Sequence, residues 1–559
     1  MTYVPGTPVS HEGMQRLNSV FKSMDMERRP WFNYWRELSE YILPRRYLWL
    51  ETEAEYGREA TLTNKKILDG TATVAARTLA AGMMNGITSP ARPWFRLRAP
   101  NIESDNGPAR LWLDEVTKRM LQVMAETNFY NAMAVLYLDL GTFASAAMLI
   151  YEDDEDVFRC YPLALGEFYL MQNNRKVVDR LARQFRWRVE QIVKEFGYAN
   201  CSQRVREAWD KGGASRHQRF TIMHMIEPND PDPDFEVARV HRYREIYWEQ
   251  GSPDSLLRKR GFREWPCVTP RWETIGNDSY GTGPAMDALG DIKQLQHMTL
   301  RRGQAMDKAV SPPLIADIQL QHRPVSLLPN GITYVAGANS IGVKPVYEVR
   351  MPFAEIDQSI VEIQNRIRVF FHNDLFRMIS QLDTVRSATE IDARREEKLV
   401  LLGPVLERFE NEALDPAIYR IFSIMLRNGL LPPPPPELES ENIEIQYVSV
   451  LSDAQSAVGA IPIERFVAFL GNISAVRPDV LEIPDWTETA LEYAQRLGVP
   501  AKTLRARDDI MGSLQDLQQR QAAQGAAQIV PPLADAAQTL ADTQVGGGAN
   551  ALQQMLGSV

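Results

Sequence analysis

The chain has 559 residues, with 44% apolar and 24% charged side chains, which excludes both a single simple core and wholesale disorder. A net charge of −10 excludes a protein that grips nucleic acid by neutralising phosphates over its whole surface, though not one past which nucleic acid slides. The three cysteines, Cys160, Cys201 and Cys267, form no C-x-x-C pair, which speaks against zinc and for a reducing compartment.

The N-terminal stretch lacks the apolar core of a secretory signal. Trp31, Trp35, Leu38 and Ile42 recur at spacings of three and four and predict a helix over 31–43. Residues 64–87, Ala-rich and small-sided, predict a second helix ending at Gly86, with a turn into an extended segment after it. Helices are expected at 108–127 and 129–140. The most apolar long stretch, 131–151, carries Asp139 midway and Gly141, so it reads as a buried helix, a turn and a strand, not a bilayer span. A soluble, cytoplasmic protein follows.

From 145 to 275 the pattern turns to short strands, at 145–153, 157–163, 167–172, 176–187, 219–228 and 237–249. Helices at 188–197 and 201–212 interrupt them, and 227–234 is an acidic, proline-rich loop. This predicts an α+β domain. Next, Pro284 opens and Pro312 closes a helix. Its Met286, Leu289, Ile292, Leu295 and Met298 recur every three residues, so the apolar line drifts around the helix by about 60° per step. A helix touched on more than one side suits a subunit with neighbours in a ring.

Residues 313–350 read as a small β unit with a turn at 328–331. A second long helix spans 352–376, where Phe353, Ile356, Ile360, Ile363, Ile367 and Phe370 make a heptad seam. An irregular connector, 377–387, precedes a helix capped by Ser387 and Glu390. That helix is highly charged in its first turns, apolar from Leu399 to Phe409, and bent by Pro404 and Pro416 on its way to about Arg427. Five prolines at 432–436 mark a boundary. A strand over 442–451 and helices over 463–473 and 486–500 follow, and a Gln/Ala/Gly-rich tail begins at 512.

No motif advances an enzyme class. There is no P-loop, and 281–286 lacks the third glycine of a dinucleotide loop and reads as a helix entry. The seven histidines (His11, His217, His224, His241, His297, His322, His372) show no metal-ligand spacing, although His224 and His241 fall in predicted strands that could approach. Asp153, Asp154 and Asp156 could hold a hard cation in a metal-dependent hydrolase, but a solvated hairpin tip explains them better. No cofactor and no metal are expected.

The order of parts, together with residues 82–97, 281–296, 386–435 and 449–457, resembles the portal (head-to-tail connector) proteins of short-tailed bacteriophages. The resemblance implies a mixed α+β, helix-rich, elongated subunit of wing, stem, clip and crown. On that scheme 1–280 is the N-terminal helical and α+β wing region, 281–310 the first stem helix and 311–352 the clip. The second stem helix is 353–376, the tunnel loop 377–387, and a long bent helix at the wing and crown base 388–430. A proline boundary with a wing strand fills 431–454, crown helices 455–511 and the tail 512–559. Stem residues are then Met286, Leu289, Ile292, Leu295, Ile356, Ile360, Ile363 and Ile367. Arg377, Met378, Gln381, Thr384 and Arg386 would face DNA. Gln319, Gln321, His322, Arg323 and Asn330 would meet the terminase.

The resemblance further implies a non-enzymatic dodecameric ring at one capsid vertex, through which double-stranded DNA is packaged and later ejected. Its partners would be the terminase large subunit, tail adaptor proteins, and capsid and scaffolding or internal core proteins, with no membrane. It would occupy the host cytoplasm during assembly and then the virion. The alternative is another oligomeric virion protein, of tail or capsid, without a DNA channel.

Overall fold

The computed structural model describes residues 9–49, 66–99, 107–232, 234–235, 237–251, 256–311, 314–316, 343–345, 352–380, 402–438 and 443–447, with short pieces at 463–493, 512 and 544–550. The chain forms two compact units. The first comprises Met1–Phe95, Lys118–Leu431 and Tyr447–Val458, and the second Arg96–Thr117, Pro432–Gln446 and Gly459–Val559.

In the first unit, strands β4 (Phe168–Gln172), β5 (Val178–Arg188), β6 (Arg219–Pro228), β7 (Tyr243–Glu249) and β8 (Leu256–Phe262) make an antiparallel meander in the order 4-5-6-7-8. Its two faces follow from the period of two along each strand. Met223, Met225, Ile246 and Trp248 point one way, onto Met14, Leu17 and Met24 of α1 (His11–Tyr41). Phe220, Ile222 and Tyr247 point the other way, onto Val189, Ile192 and Phe196 of α5 (Val189–Phe196) and Val205 and Ala208 of α6 (Gln203–Lys211).

Helix α1 starts twenty residues before the expected one and passes through Pro30. Ser10 caps it, accepting the Gly13 N–H at 3.0 Å. Strand β7 begins at Tyr243, not 237, because Asn229 claims the backbone of the preceding loop. Its side chain accepts the Val237 N–H at 3.3 Å and donates to the His241 carbonyl at 3.0 Å. His241 therefore stands outside the ladder, while His224 lies opposite Tyr247. Strands β8 and β9 (Cys267–Val268) had no expectation. A second antiparallel sheet, β3-β2-β9, pairs β2 (Ala147–Asp153) with β3 (Val157–Leu163) and with β9. The 153–157 acids form the tip of that hairpin, where Asp153 accepts the Glu155 and Asp156 N–H groups at 3.0 Å.

Helix α2 (Thr71–Ile87) starts seven residues later than expected. Gly70 precedes it and Asp69 accepts the Thr71 N–H at 2.8 Å. Its alanine face packs on α4 (Phe129–Phe143). Helix α4 ends at Ala144 in the left-handed region and leads to β2, the expected helix, turn and strand. Asp139, buried in α4, pairs with Arg46 at 2.9 Å, and burial pushes its carboxyl up to about 6. Among the described residues no helix is long and apolar enough to cross a membrane. Cys160, Cys201 and Cys267 are buried free thiols.

The expected 284–310 helix is two: α7 (Pro284–Asp287) and α8 (Leu289–Val310), interrupted at Ala288. Beyond α8, β10 (Leu314–Ala316) pairs antiparallel with β11 (Val343–Pro345), so the two ends of the expected β unit meet. The expected 352–376 helix is also two, α9 (Phe353–Phe370) and α10 (Asn373–Ser380). Residues 402–409 are helical and run through a π-turn (Glu410–Leu414) into α11 (Asp415–Arg427). The second unit contains α3 (Gly107–Glu126) up to Thr117 and all but Phe95 and Tyr447 of the paired strands β1 (Phe95–Arg98) and β12 (Glu444–Tyr447). There Trp112 Nε1 donates to the Pro432 carbonyl at 3.0 Å. In the tail, Gln544–Val545 pairs with Ala549–Asn550.

Candidate functional site

The elements with most to say about function are α8 and α9. The chain enters them through Gly281 and Gly283. A Cβ on Gly281 would stand 2.4 Å from the Ala144 carbonyl oxygen, and one on Gly283 would stand 2.9 Å from the Ala144 Cβ. Only glycine lets this strand-like entry lie so close to the end of α4. Pro284 then opens α7 at a position where no N–H is needed.

Leu289, Ile292 and Leu295 of α8 and Ile360, Ile363 and Ile367 of α9 are buried, each at helical spacing. Two Arg–carboxylate forks tie the helices antiparallel. Arg366 holds Asp291 at 3.1 Å (Nε) and 3.0 Å, and Arg302 holds Asp357 through Nε and at 3.1 Å through its second nitrogen. The hydrogen bond from Arg302 keeps the Asp357 carboxyl below its ordinary value. These pairs are solvent-washed, so they fix register more than they stabilise. The base of the hairpin is polar and centres on buried Gln296. Gln296 accepts the Leu68 and Asp69 N–H groups at 2.7 and 2.9 Å, and Gln364 donates to Asp69 at 2.7 Å.

The line Met286–Leu289–Ile292–Leu295 was expected to wrap toward neighbouring subunits. All four are buried within the chain, and Met298 is half-buried. The exposed apolar residues are others: Leu300, Met306 and Val310 on α8, and Val361, Val369 and Phe370 on α9. The heptad seam also ends differently. Phe370 is exposed and Phe371 is fully buried, because the helix breaks there. Ile356 is half-buried. Arg377 and Met378, expected in an irregular connector, belong to the helical backbone of α10. Gln381, Thr384, Arg386, Gln319, Gln321, His322, Arg323, Asn330 and the capping pair Ser387 and Glu390 lie outside the described residues.

Helix 402–427 is pinned by buried cations. The Arg271 guanidinium, 2% exposed, binds Glu412 at 2.6 Å and also reaches Gln172 at 3.0 Å and the Lys176 carbonyl at 2.9 Å. Glu412 sits in the π-turn, whose extra residue aims it at this cation. Arg420 and Arg427 each hold Glu264 at 2.7 Å. At the start of the π-turn, partial burial and then Asp415 and Glu407 push the Glu410 carboxyl up to about 7.

In the five-stranded sheet, Glu245 is fully buried among Arg260, His224 (2.9 Å) and the Tyr151 hydroxyl (2.5 Å). Burial alone would raise its carboxyl, but Arg260 and then His224 hold it well below the usual range. Burial pushes His224 down to about 4, so this ring is neutral beside a charged Glu245. Its oxygens are taken up by the protein itself, so the cluster is a structural hub and not an exposed acid or base. Among the described residues no group of His, Cys, Asp and Glu is arranged to hold a metal.

Sequence reading missed Arg271, Glu412 and Gly82. A Cβ on Gly82 would stand 2.2 Å from the Phe376 ring. The available signal was a glycine inside an alanine-rich helix, which costs helix stability and so implies a close neighbour.

Residues 14–504 match a protein family described as bacteriophage head to tail connecting protein. The chain is 38% identical over 517 residues to a probable portal protein of Bordetella phage BPP-1, covering 91% of this chain and 92% of that one. It is 37% identical over 541 residues to the portal protein of Salmonella phage epsilon15, covering 95% and 96%.

Proposed function

Because the chain belongs to the bacteriophage head to tail connecting protein family, we propose that it is the subunit of a portal ring at one capsid vertex. DNA enters through that ring during packaging and leaves through it at ejection. Residues 284–310 and 353–376 are the stem, 311–352 the clip where the terminase large subunit and later the tail adaptors dock, and 377–387 the tunnel loop. The wing comprises 1–280 with 388–454, the crown 455–511, and the tail 512–559 faces the capsid interior, where capsid and scaffolding or internal core proteins meet it. Twelve copies close the ring. The subunit is not an enzyme, and the packaging ATPase resides on the terminase.

The observation that carries this reading is the antiparallel α8–α9 pair. Its inner seam is buried and its register is fixed by two forks, yet Leu300, Met306, Val310, Val361 and Val369 remain exposed. A rigid two-helix rod with leftover apolar surface suits lateral packing against identical rods. An acidic chain also suits a conduit, since a basic lumen would hold phosphates.

Imaging of the purified chain should show closed rings with a central pore. Monomers or dimers under all conditions would overturn the proposal. Replacing Arg377 and Arg386 together by Gln should impair DNA retention while rings still form. Unchanged packaging would remove those two residues from the DNA path.

A further inference from the structure

We infer that residues Phe371–His372 are a two-state joint, and that the structure captures the broken state, held by a glycine notch on α2. The sequence from Phe353 to Phe376 contains no proline or glycine and reads as one helix. The chain nevertheless breaks after Phe370. Only two residues depart from helical geometry. Phe371 has φ −83° and ψ 12°, and His372 has φ 51°. A left-handed φ is uncommon for a residue with a Cβ, and although histidine enters it more readily than most, it carries a cost that the surroundings must offset.

The surroundings that offset this cost can be named. Phe376 of α10 lies against Gly82 of α2, so closely that a Cβ there would stand 2.2 Å from the ring. Asn373, almost fully buried, sets its side-chain amide 3.2 Å from the Phe371 carbonyl and 3.1 Å from the Ala75 carbonyl of α2, and both are satisfied when the amide is assigned with its nitrogen toward them. The His372 ring stacks on Trp272, with centroids 6.2 Å apart. The broken form is thus a local helix preference overridden by three contacts made by the residues just past the break.

The other state is equally definite. If His372 returns to the right-handed region, α9 and α10 merge. Ile367, Phe371 and Leu375, four apart, then stay on one stripe of a single helix. The Val369 carbonyl, which now accepts the His372 N–H at 2.9 Å, would take the Asn373 N–H instead, and the Phe370 carbonyl would take that of Asp374. Phe376 would leave its notch. The direction in which α10 leaves α9 would change. On the portal reading α10 leads into the tunnel loop, and only that identification rests on the reading. The joint itself does not.

Residue-resolved amide hydrogen exchange on the full chain tests it, at Asn373 and Asp374. Gly82→Leu fills the notch and should slow exchange at both amides by about ten-fold or more as the helices merge. Phe376→Ala, which empties the notch without crowding α2, should act in the same direction and decides the matter if Gly82→Leu does not fold. His372→Gly removes the left-handed penalty and should favour the broken form by about ten-fold. If notch variants leave these amides unchanged, or speed their exchange, the merged state does not form and the inference falls. Ring imaging of the same variants reports separately on the portal reading.

Discussion

The five-stranded sheet buries a carboxylate and the π-turned helix half-buries one, and the two regions answer protons in opposite senses. In the sheet, Glu245 sits among Arg260 and His224, which hold its carboxyl well below the ordinary value, while burial brings His224 down from 6.5 to about 4. Both folded values are depressed. The unfolded chain therefore binds more protons; the His224 contribution is full above about pH 6.5 and lost as pH falls through 4, while that of Glu245 is full above about pH 4.5 and persists to lower pH still. In the helix, half-buried Glu410 lies near Asp415 and Glu407; partial burial and then these two acids raise it from 4.5 to about 7. There the folded chain binds more protons, so the contribution is full below about pH 4.5 and lost as pH rises through 7. The residue type is the same. The sign is set by whether cations or acids share the burial.

The largest effect that would break this comparison is loss of Glu245. Glu245→Leu strands Arg260 and should cost about 3–5 kcal/mol, read as a collapse of the melting temperature or loss of soluble protein. Next is acidification of the native chain from pH 6.5 to 4, which should remove about 3 kcal/mol through His224 alone. A His224→Gln variant should lose much of that slope in denaturant melts taken across the range. Arg271→Ala leaves Glu412 without its clamp and should cost about 2 kcal/mol, with faster amide exchange around the π-turn. Glu410→Gln should remove the loss of stability between pH 4.5 and 7 and so steepen the rise that His224 produces from pH 4 to 6.5, because the two slopes oppose one another there. An unchanged profile would show that Glu410 does not set the helix's response. The smallest effect belongs to the exposed fork: Arg302→Ala should leave the melting temperature nearly unchanged at physiological salt, because solvent already screens that pair.

The element types were largely legible because periodicity is local. The strands of 145–228, helices α3 to α6 and the β10–β11 ends follow from spacing alone. What sequence could not supply were features decided at a distance. Asn229 shortens β7 by capturing a loop backbone. The break at Phe371–His372, beyond which Phe376 sits against Gly82, falls in a stretch whose own spacing predicts one helix. The π-turn that aims Glu412 at Arg271 leaves no mark on a hydrophobic pattern. The helical spacing of Met286, Leu289, Ile292 and Leu295 was legible, but these side chains are spent on the chain's own core, and the outward surface passes to residues no spacing rule singled out.

The three cysteines carry a practical consequence. Burial pushes the Cys160 thiol up to about 12 and the Cys201 thiol up to about 11, and raises Cys267 well above its ordinary value. At neutral pH essentially none is thiolate, the form that attacks maleimides, iodoacetamides and disulfide reagents. The native chain is therefore chemically silent toward such probes. A single cysteine placed on any exposed position becomes the one fast-reacting handle, and a fluorophore, spin label or gold cluster can be attached there without first deleting the natural thiols.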